Sequence, residues 1–446
     1  MKKLFILTII SIFTLLVLSG CSNMLDEMMP KDQIPQSQLS ESDMEKLLNG
    51  VYAEMEDFIF DFYFDGDVKG ENFKAGPGFS LNDPMLMAPS TNEVLDMWQK
   101  AYTTLKQVNF LVETYESLGN KETDIAKRAG GTSYYFRALI YYNLVTRWGG
   151  VPILERRTYD VVPISPEADV WNFIVSDLTK AEALLPEFSD KFYVSSAACN
   201  ALQARVYLSL ERYGEAAQYA DRVIGNSNFA LSSSSEEYAN IFVSNTNSKE
   251  LILALANKRT SGLLLFYQKI NDIDPTWDYA PSDDCYTSLY GSTSIKEGDL
   301  RAPAVFGDDN TRVLKFANGS DGQFVDNEMP SQTPIVVARL AEMYLIKAEA
   351  LGNSEGLSVL QDFMNSRYEE VHLPASMSTV EFQNQLLDER HREFYAEGQR
   401  WYDLKRTNRL DLFKSLNGRD YLMYFPIPQS EIDLAGRENY PQNPGY

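Results

Sequence analysis

The sequence predicts a mostly α-helical protein built from helix pairs and interrupted by one long loop-rich region. Two helical stretches and the region between them support this. In residues 197–224, AACNALQARVYLSLERYGEAAQYADRVI, Ala204, Tyr207, Tyr213, Ala216 and Ala220 fall where two antiparallel helices meet. Small residues let the backbones approach and tyrosines fill the gaps. Residues 338–351, ARLAEMYLIKAEAL, open a second pair that 357–368 can close. Between the pairs, residues 231–334 are rich in Ser, Asp, Asn, Gly and Pro and lack sustained periodicity. That region carries Trp277, Tyr279, Tyr286 and Tyr290 interleaved with Asp272, Asp274, Asp283 and Asp284. Disordered segments are poor in aromatics, so a long loop of this kind points to function.

Composition narrows the classes. Of 446 residues, 44% are apolar, enough for a large core, and the 26 Tyr and 24 Phe exceed what a core needs. The net charge is -23, or -25 once residues 1–20, whose charges are Lys2 and Lys3, are set aside. Such a field repels phosphate backbones and anionic lipid surfaces, which argues against nucleic acid as a partner. Three cysteines are too few for a disulfide framework. Cys199, in the run SSAACNALQA, reads as a buried thiol.

Taken in order, the chain opens with Lys2 and Lys3 and an apolar run from Leu4 to Leu18, too short to span a bilayer. It reads as a signal peptide over 1–20. The run ends Leu18-Ser19-Gly20-Cys21, similar to a bacterial lipobox, which makes Cys21 the lipidated residue of the mature chain; the alternative is an ordinary secretory signal with an incidental Cys. Residues 21–40, with Pro30 and Pro35, read as a tether. A single domain then covers 41–446, with a helical scaffold over 41–230 and 335–446 and a ligand region over 231–334. Helical spacing of Met44, Leu47, Leu48, Val51, Tyr52 and Met55 starts the first helix, capped by Ser40 or Ser42. Residues 57–92, aromatic and acidic with several Gly, read either as a folded-back loop beneath the helices or as a ligand loop carrying Asp65, Asp67 and Asn72. Further helices are expected from Met97 to Val112, from Ala129 to Arg147 with a stop at Gly149-Gly150, and over Ala168–Leu185.

Near the C-terminus, Leu387, His391, Phe394, Gly398 and Trp401 recur at steps of four and three, one face of a single helix. Its Glu389, Glu393 and Glu397 beside His391, Arg390 and Arg400 suggest either an active site or a packing helix with exposed ion pairs.

Several stretches together resemble the SusD/RagB family of surface lipoproteins: the lipobox, RALIYYNLVTRWGGVPI at 137–153, RLAEMYLIKAEAL at 339–351, ERHREFYAEGQRWYDLKR at 389–406, FPIPQSEI and the terminal QNPGY. The resemblance implies a fold of tetratricopeptide-like helix pairs with irregular loops on one side. It also implies a non-catalytic binding role in the outer membrane, for glycans or in some branches peptides, beside a SusC-like TonB-dependent transporter. It makes Arg339, Glu342, Arg390, Glu393, Arg400 and Trp401 scaffold residues.

A sugar needs flat aromatic faces for its C–H surfaces and Asp, Asn or Arg for its hydroxyls. The residues that supply this mix are Asp65, Asp67, Asn72, Trp277, Tyr279, Asp283, Tyr286 and Tyr290. Trp277 reads equally as a core anchor. The rival class is a glycosidase using two carboxylates, but no HExxH, GxSxG or metal-spaced Cys/His cluster occurs, and the histidines are His372 and His391. No cofactor is expected. Calcium at Asp272–Asp284 would lack the EF-hand spacing.

Overall fold

The computed structural model describes residues 39–76, 87–243, 246–257, 279–290, 298–305, 313, 315–316 and 333–446. Cys21, the signal and tether segments up to 38, Asp272, Asp274 and Trp277 lie outside the described residues.

The helices are α1 (Met44–Lys69), α2 (Asn92–Ser117), α3 (Asp124–Trp148), α4 (Glu167–Glu182), α5 (Ser196–Ser209), α6 (Tyr213–Ile224), α7 (Ser235–Ala239), α8 (Asp283–Tyr290), α9 (Ala302–Val305), α10 (Leu340–Asn365), α11 (Thr379–Phe394), α12 (Arg400–Arg406) and α13 (Gln429–Ala435). Neighbours in sequence pack on one another: α2 on α3, α3 on α4, α5 on α6, and α6 in turn on α10. The pair read from residues 197–224 is α5–α6, with Ala204, Ala216 and Ala220 at 0% exposure on its seam. Tyr213 departs from that reading, standing exposed at the start of α6.

Local chemistry explains the ends. In α11 the Ser378 hydroxyl accepts from the Glu381 N–H at 3.2 Å while Glu381 accepts from the Ser378 N–H at 2.8 Å, a reciprocal cap. In α10, Gly352 takes φ 71° and turns the helix back on itself, so that 340–351 and 353–365 form the second expected pair. Ala341, Leu345 and Ala348 from its first half meet Leu360, Phe363 and Met364 from its second, with Phe382 and Leu386 of α11, in a small core beside the main one.

The first helix runs further than expected. Residues 57–69 belong to α1, correcting the loop expected there, because Phe58, Ile59, Phe60 and Phe62 are all buried and a helix buried on every side shows no polar stripe. The single helix expected through Trp401 is also corrected. It ends at Phe394, Ala396 and Gly398 turn with φ 61° and 74°, and α12 starts afresh at Arg400. That turn packs on α1 so closely that a Cβ on Gly66 would lie 2.1 Å from the Gly398 carbonyl oxygen.

Short ladders were not foreseen. Strand β1 (Phe73–Ala75) pairs with β5 (Tyr279–Pro281), β2 (Val151–Pro152) with β3 (Ile164–Ser165), and β4 (Leu251–Leu255) with β6 (Ile335–Arg339), each antiparallel. The β4–β6 ladder is buried along its whole length and rests against α1. The irregular region therefore begins later than expected: it leaves the scaffold after Leu255 and returns at Ile335, both ends held in one ladder.

Candidate functional site

Two charged regions stand out, one inside the scaffold and one on its surface. The inner one centres on α11. The Glu393 carboxylate accepts from Arg301 Nη1 at 2.8 Å, from Arg367 Nε at 2.9 Å and also from Arg339. Glu250 accepts from Arg339 at 3.0 Å and from Arg367 at 2.7 Å, and Glu397 accepts from Arg339 and from Lys315 Nζ at 2.5 Å. Tyr368 donates to Glu389, which also pairs with Arg301 at 2.7 Å. All these side chains are buried. The exposed ion pairs expected on this stretch are therefore corrected to a sealed network. Burial opposes the charge on Glu393, yet the guanidiniums of Arg367, Arg339 and Arg301 hold its carboxyl well below the usual range. With its lone pairs committed to four cations, the cluster offers no acid or base to a substrate.

His391 sits in the same helix with Nε2 2.7 Å from Asn72 Oδ1 and 3.7 Å from Cys285 Sγ. Burial, and then Arg400 and Arg392, push the imidazole well below its usual pKa. Burial pushes the Cys285 thiol up. Both groups stay neutral, so the pair is not an activated nucleophile.

The surface region is built on this floor. The β1–β5 register sets Lys74 opposite Ala280, and Ser282 donates from its hydroxyl to the Glu71 carbonyl at 2.8 Å and from its N–H to the Asn72 carbonyl at 2.9 Å. The two stretches singled out as ligand regions, 65–72 and 279–290, thus meet. Their roles differ from expectation. Asp65 is buried against Arg147 Nε at 3.2 Å, its carboxyl raised by burial despite that cation. Asp67 accepts from Asn72 Nδ2 at 2.5 Å, from the Ala396 N–H at 3.1 Å and from the Gly398 N–H, with burial raising it to about 7. Asn72 is fully buried between Asp67 and His391, and the Tyr279 ring packs on Phe73 with centroids 5.9 Å apart. As direct ligand contacts, Asp65, Asp67, Asn72 and Tyr279 are corrected: they are tied into the interior because a helix and a buried ladder carry them.

Asp283 is exposed on α8 and pairs with Lys74 at 2.5 Å; Asp284 beside it pairs with Lys414 at 2.5 Å. Tyr286 is half-buried on the same helix, and the side chain of Tyr290 lies outside the described residues. Lys74 and Lys414 are missed by sequence reasoning, since only the long-range pairing brings them to this face. Among the described residues, no group of three or more Asp, Glu, His or Cys is arranged to hold a metal.

Comparison with known proteins identifies the scaffold. A family model described as starch-binding associating with outer membrane matches residues 23–208, and the SusD family model matches residues 293–420. The chain belongs to the SusD family. A SusD-like protein, P38, from Formosa agariphila is 24% identical, over 92% of this chain and 93% of its own. The starch-binding protein SusD of Bacteroides thetaiotaomicron is 25% identical, over 80% of each. A solved laminarin-binding SusD-like protein superposes with a TM-score of 0.69 at 23% identity, covering 91% of this chain and all of that one. The mostly helical, tetratricopeptide-like architecture is shared across the family. SusD proteins bind carbohydrate and are not enzymes, which removes the glycosidase reading. They are associated with the outer membrane. Among the described residues of this SusD-family protein, no helix is long and apolar enough to cross a membrane.

Proposed function

We propose that this SusD-family protein captures oligosaccharide or polysaccharide at the cell surface and hands it to a SusC-like TonB-dependent transporter. The observation that carries the reading is the match of a family model described as starch-binding over residues 23–208, together with the SusD family model over residues 293–420. It is supported by relatives named for starch and laminarin binding. The ligand face on this reading is the surface over α8 and the β1–β5 ladder, with Asp283 and Tyr286 supplying polar and aromatic contact. Trp277 and Tyr290 are kept as further ligand residues on the chemistry of their side chains alone. Asp65, Asp67, Asn72 and Tyr279 hold that face from beneath. Asp283 pairs with Lys74 and Asp284 with Lys414. Attachment is through lipid on Cys21, whose acyl chains contribute about 0.8 kcal/mol per buried methylene, with the domain facing outward.

Calorimetric titration of residues 22–446 with starch fragments and laminarin tests the reading. Binding without release of shorter sugars is expected. Binding of peptides but of no glycan on a broad panel would establish the peptide-binding alternative instead. Trp277→Ala weakens glycan binding while leaving the Tm nearly unchanged. Cys21→Ala moves the protein from the membrane to the soluble fraction; continued sedimentation with membranes would refute lipid attachment at that residue.

A further inference from the structure

Glu71 lies where the segments of the ligand face meet. It follows Gly70, the C-cap of α1, and takes φ 58°, a left-handed backbone that a residue with a Cβ enters rarely and glycine freely. The turn by itself is served better by glycine. What glycine lacks is the carboxylate, and here that group is engaged on both oxygens. Oε2 accepts from the Lys414 N–H at 3.0 Å, while Oε1 accepts from the Ser415 N–H at 2.8 Å and from the Ser415 hydroxyl.

Its backbone holds the other segment. The Glu71 carbonyl accepts from the Ser282 hydroxyl at 2.8 Å, and that hydroxyl in turn accepts from the Cys285 N–H at 3.1 Å, the cap of α8. One residue therefore fixes the start of α8 through its carbonyl and the 414–415 turn through its carboxylate. Phe413 and Leu416 are buried on either side of that turn, which leaves Lys414 exposed between two anchors. Lys414 Nζ then reaches Asp284, the second residue of α8, at 2.5 Å, with the two side chains 68% and 71% exposed.

An ammonium and a carboxylate side by side in solvent set a donor next to an acceptor. A vicinal diol of a neutral sugar satisfies both, since each hydroxyl donates and accepts. An exposed pair of this kind exchanges with water at little cost, so a diol can take the water's place. Lys414 is long and flexible, however, and ordering such a side chain on binding lowers affinity unless its base is already fixed. We propose that Glu71 is the positioning residue of the ligand face, holding the 414–415 turn against α8 so that Lys414 and Asp284 meet a sugar diol together. The proposal rests on the carbohydrate reading of this face.

The test is a double-mutant cycle on the full chain, titrated with malto-oligosaccharides and laminarin oligosaccharides. Glu71→Gly deletes the carboxylate while suiting the backbone, so the Tm should stay nearly unchanged and binding should weaken about tenfold, the scale of one charge-assisted hydrogen bond. Lys414→Ala should weaken it by a similar factor. Because Glu71 acts through Lys414, the double variant should bind no more weakly than either single one. Hydrogen exchange supplies a second measurement: in Glu71→Gly the amides of Lys414, Ser415 and the start of α8 should exchange faster, with α11 as before. Losses that multiply in the double variant, amides at 414–415 that stay protected, or a sharp fall in Tm with unchanged affinity would overturn this proposal and leave the carbohydrate reading standing. Binding of neither sugar to the unaltered chain would refute the diol contact together with the starch-and-laminarin reading.

Discussion

Glu393 and Asp283 are both carboxylates within 3 Å of a cation, and the sequence around each is crowded with charge and aromatic rings. Their surroundings separate them. The Glu393 side chain is 0% exposed, with Arg301, Arg339 and Arg367 around it; that of Asp283 is 79% exposed and meets one lysine. A buried carboxylate must have its full complement of partners, because water cannot replace any of them, whereas a surface pair competes with solvent and salt at every moment. The inner cluster is therefore rigid and committed, and the outer one remains exchangeable. Only the outer one is available to a ligand.

This contrast can be broken by substitution. Glu393→Gln leaves three guanidiniums short of charge and should cost about 3–5 kcal/mol, read from chemical denaturation; a loss under about 1 kcal/mol would mean that the network is not what holds α11. Gly66→Ala forces a methyl against the Gly398 carbonyl and should cost about 1–3 kcal/mol, seen as a lower Tm with unchanged denaturant slope. Lys405 sharpens the comparison through pH. Burial lowers it to about 7, while its ammonium reaches the Thr146 carbonyl at 2.7 Å. Between about pH 7 and its unfolded value near 10.5 the unfolded chain holds a proton that the folded chain lacks, so stability rises with pH across that window, by at most about 1.4 kcal/mol per unit. Lys405→Met should remove that rise, and an identical pH profile for both proteins would show that Lys405 keeps its proton. At the small end, Asp283→Ala should change stability by less than about 0.5 kcal/mol, with a weaker glycan signal as its visible effect.

Local pattern carried much of the frame. The α5–α6 pair, the stop after Trp148 and the turn within α10 each follow from residues close in sequence, and a helix reads its own spacing. The charges of 389–397 also read correctly as frame once the family resemblance is added, although their burial does not show in the spacing. What stayed hidden was long-range. Leu251–Leu255 is an apolar run that could be strand or helix until Ile335–Arg339 is set beside it. The aromatic stretch before Asp65 hides a helix because its neighbours cover every side. The site suffered most: Asp65, Asp67 and Asn72 have the right chemistry for a sugar, but α1 turns Asp65 toward Arg147 and Asp67 toward the Ala396–Gly398 turn, and the β1–β5 pairing covers Asn72 with Ser282.

The β4–β6 ladder has a consequence for how such a protein diversifies. With Leu255 and Ile335 pinned as neighbours, the chain between them is a closed loop whose ends are fixed by the scaffold. Closure entropy grows only with the logarithm of length, about 0.6 kcal/mol per doubling. Insertions and deletions there that spare β5, α8, Arg301 and Lys315, which tie the stretch back into the scaffold, carry small thermodynamic cost, so one frame can hold excursions of different size.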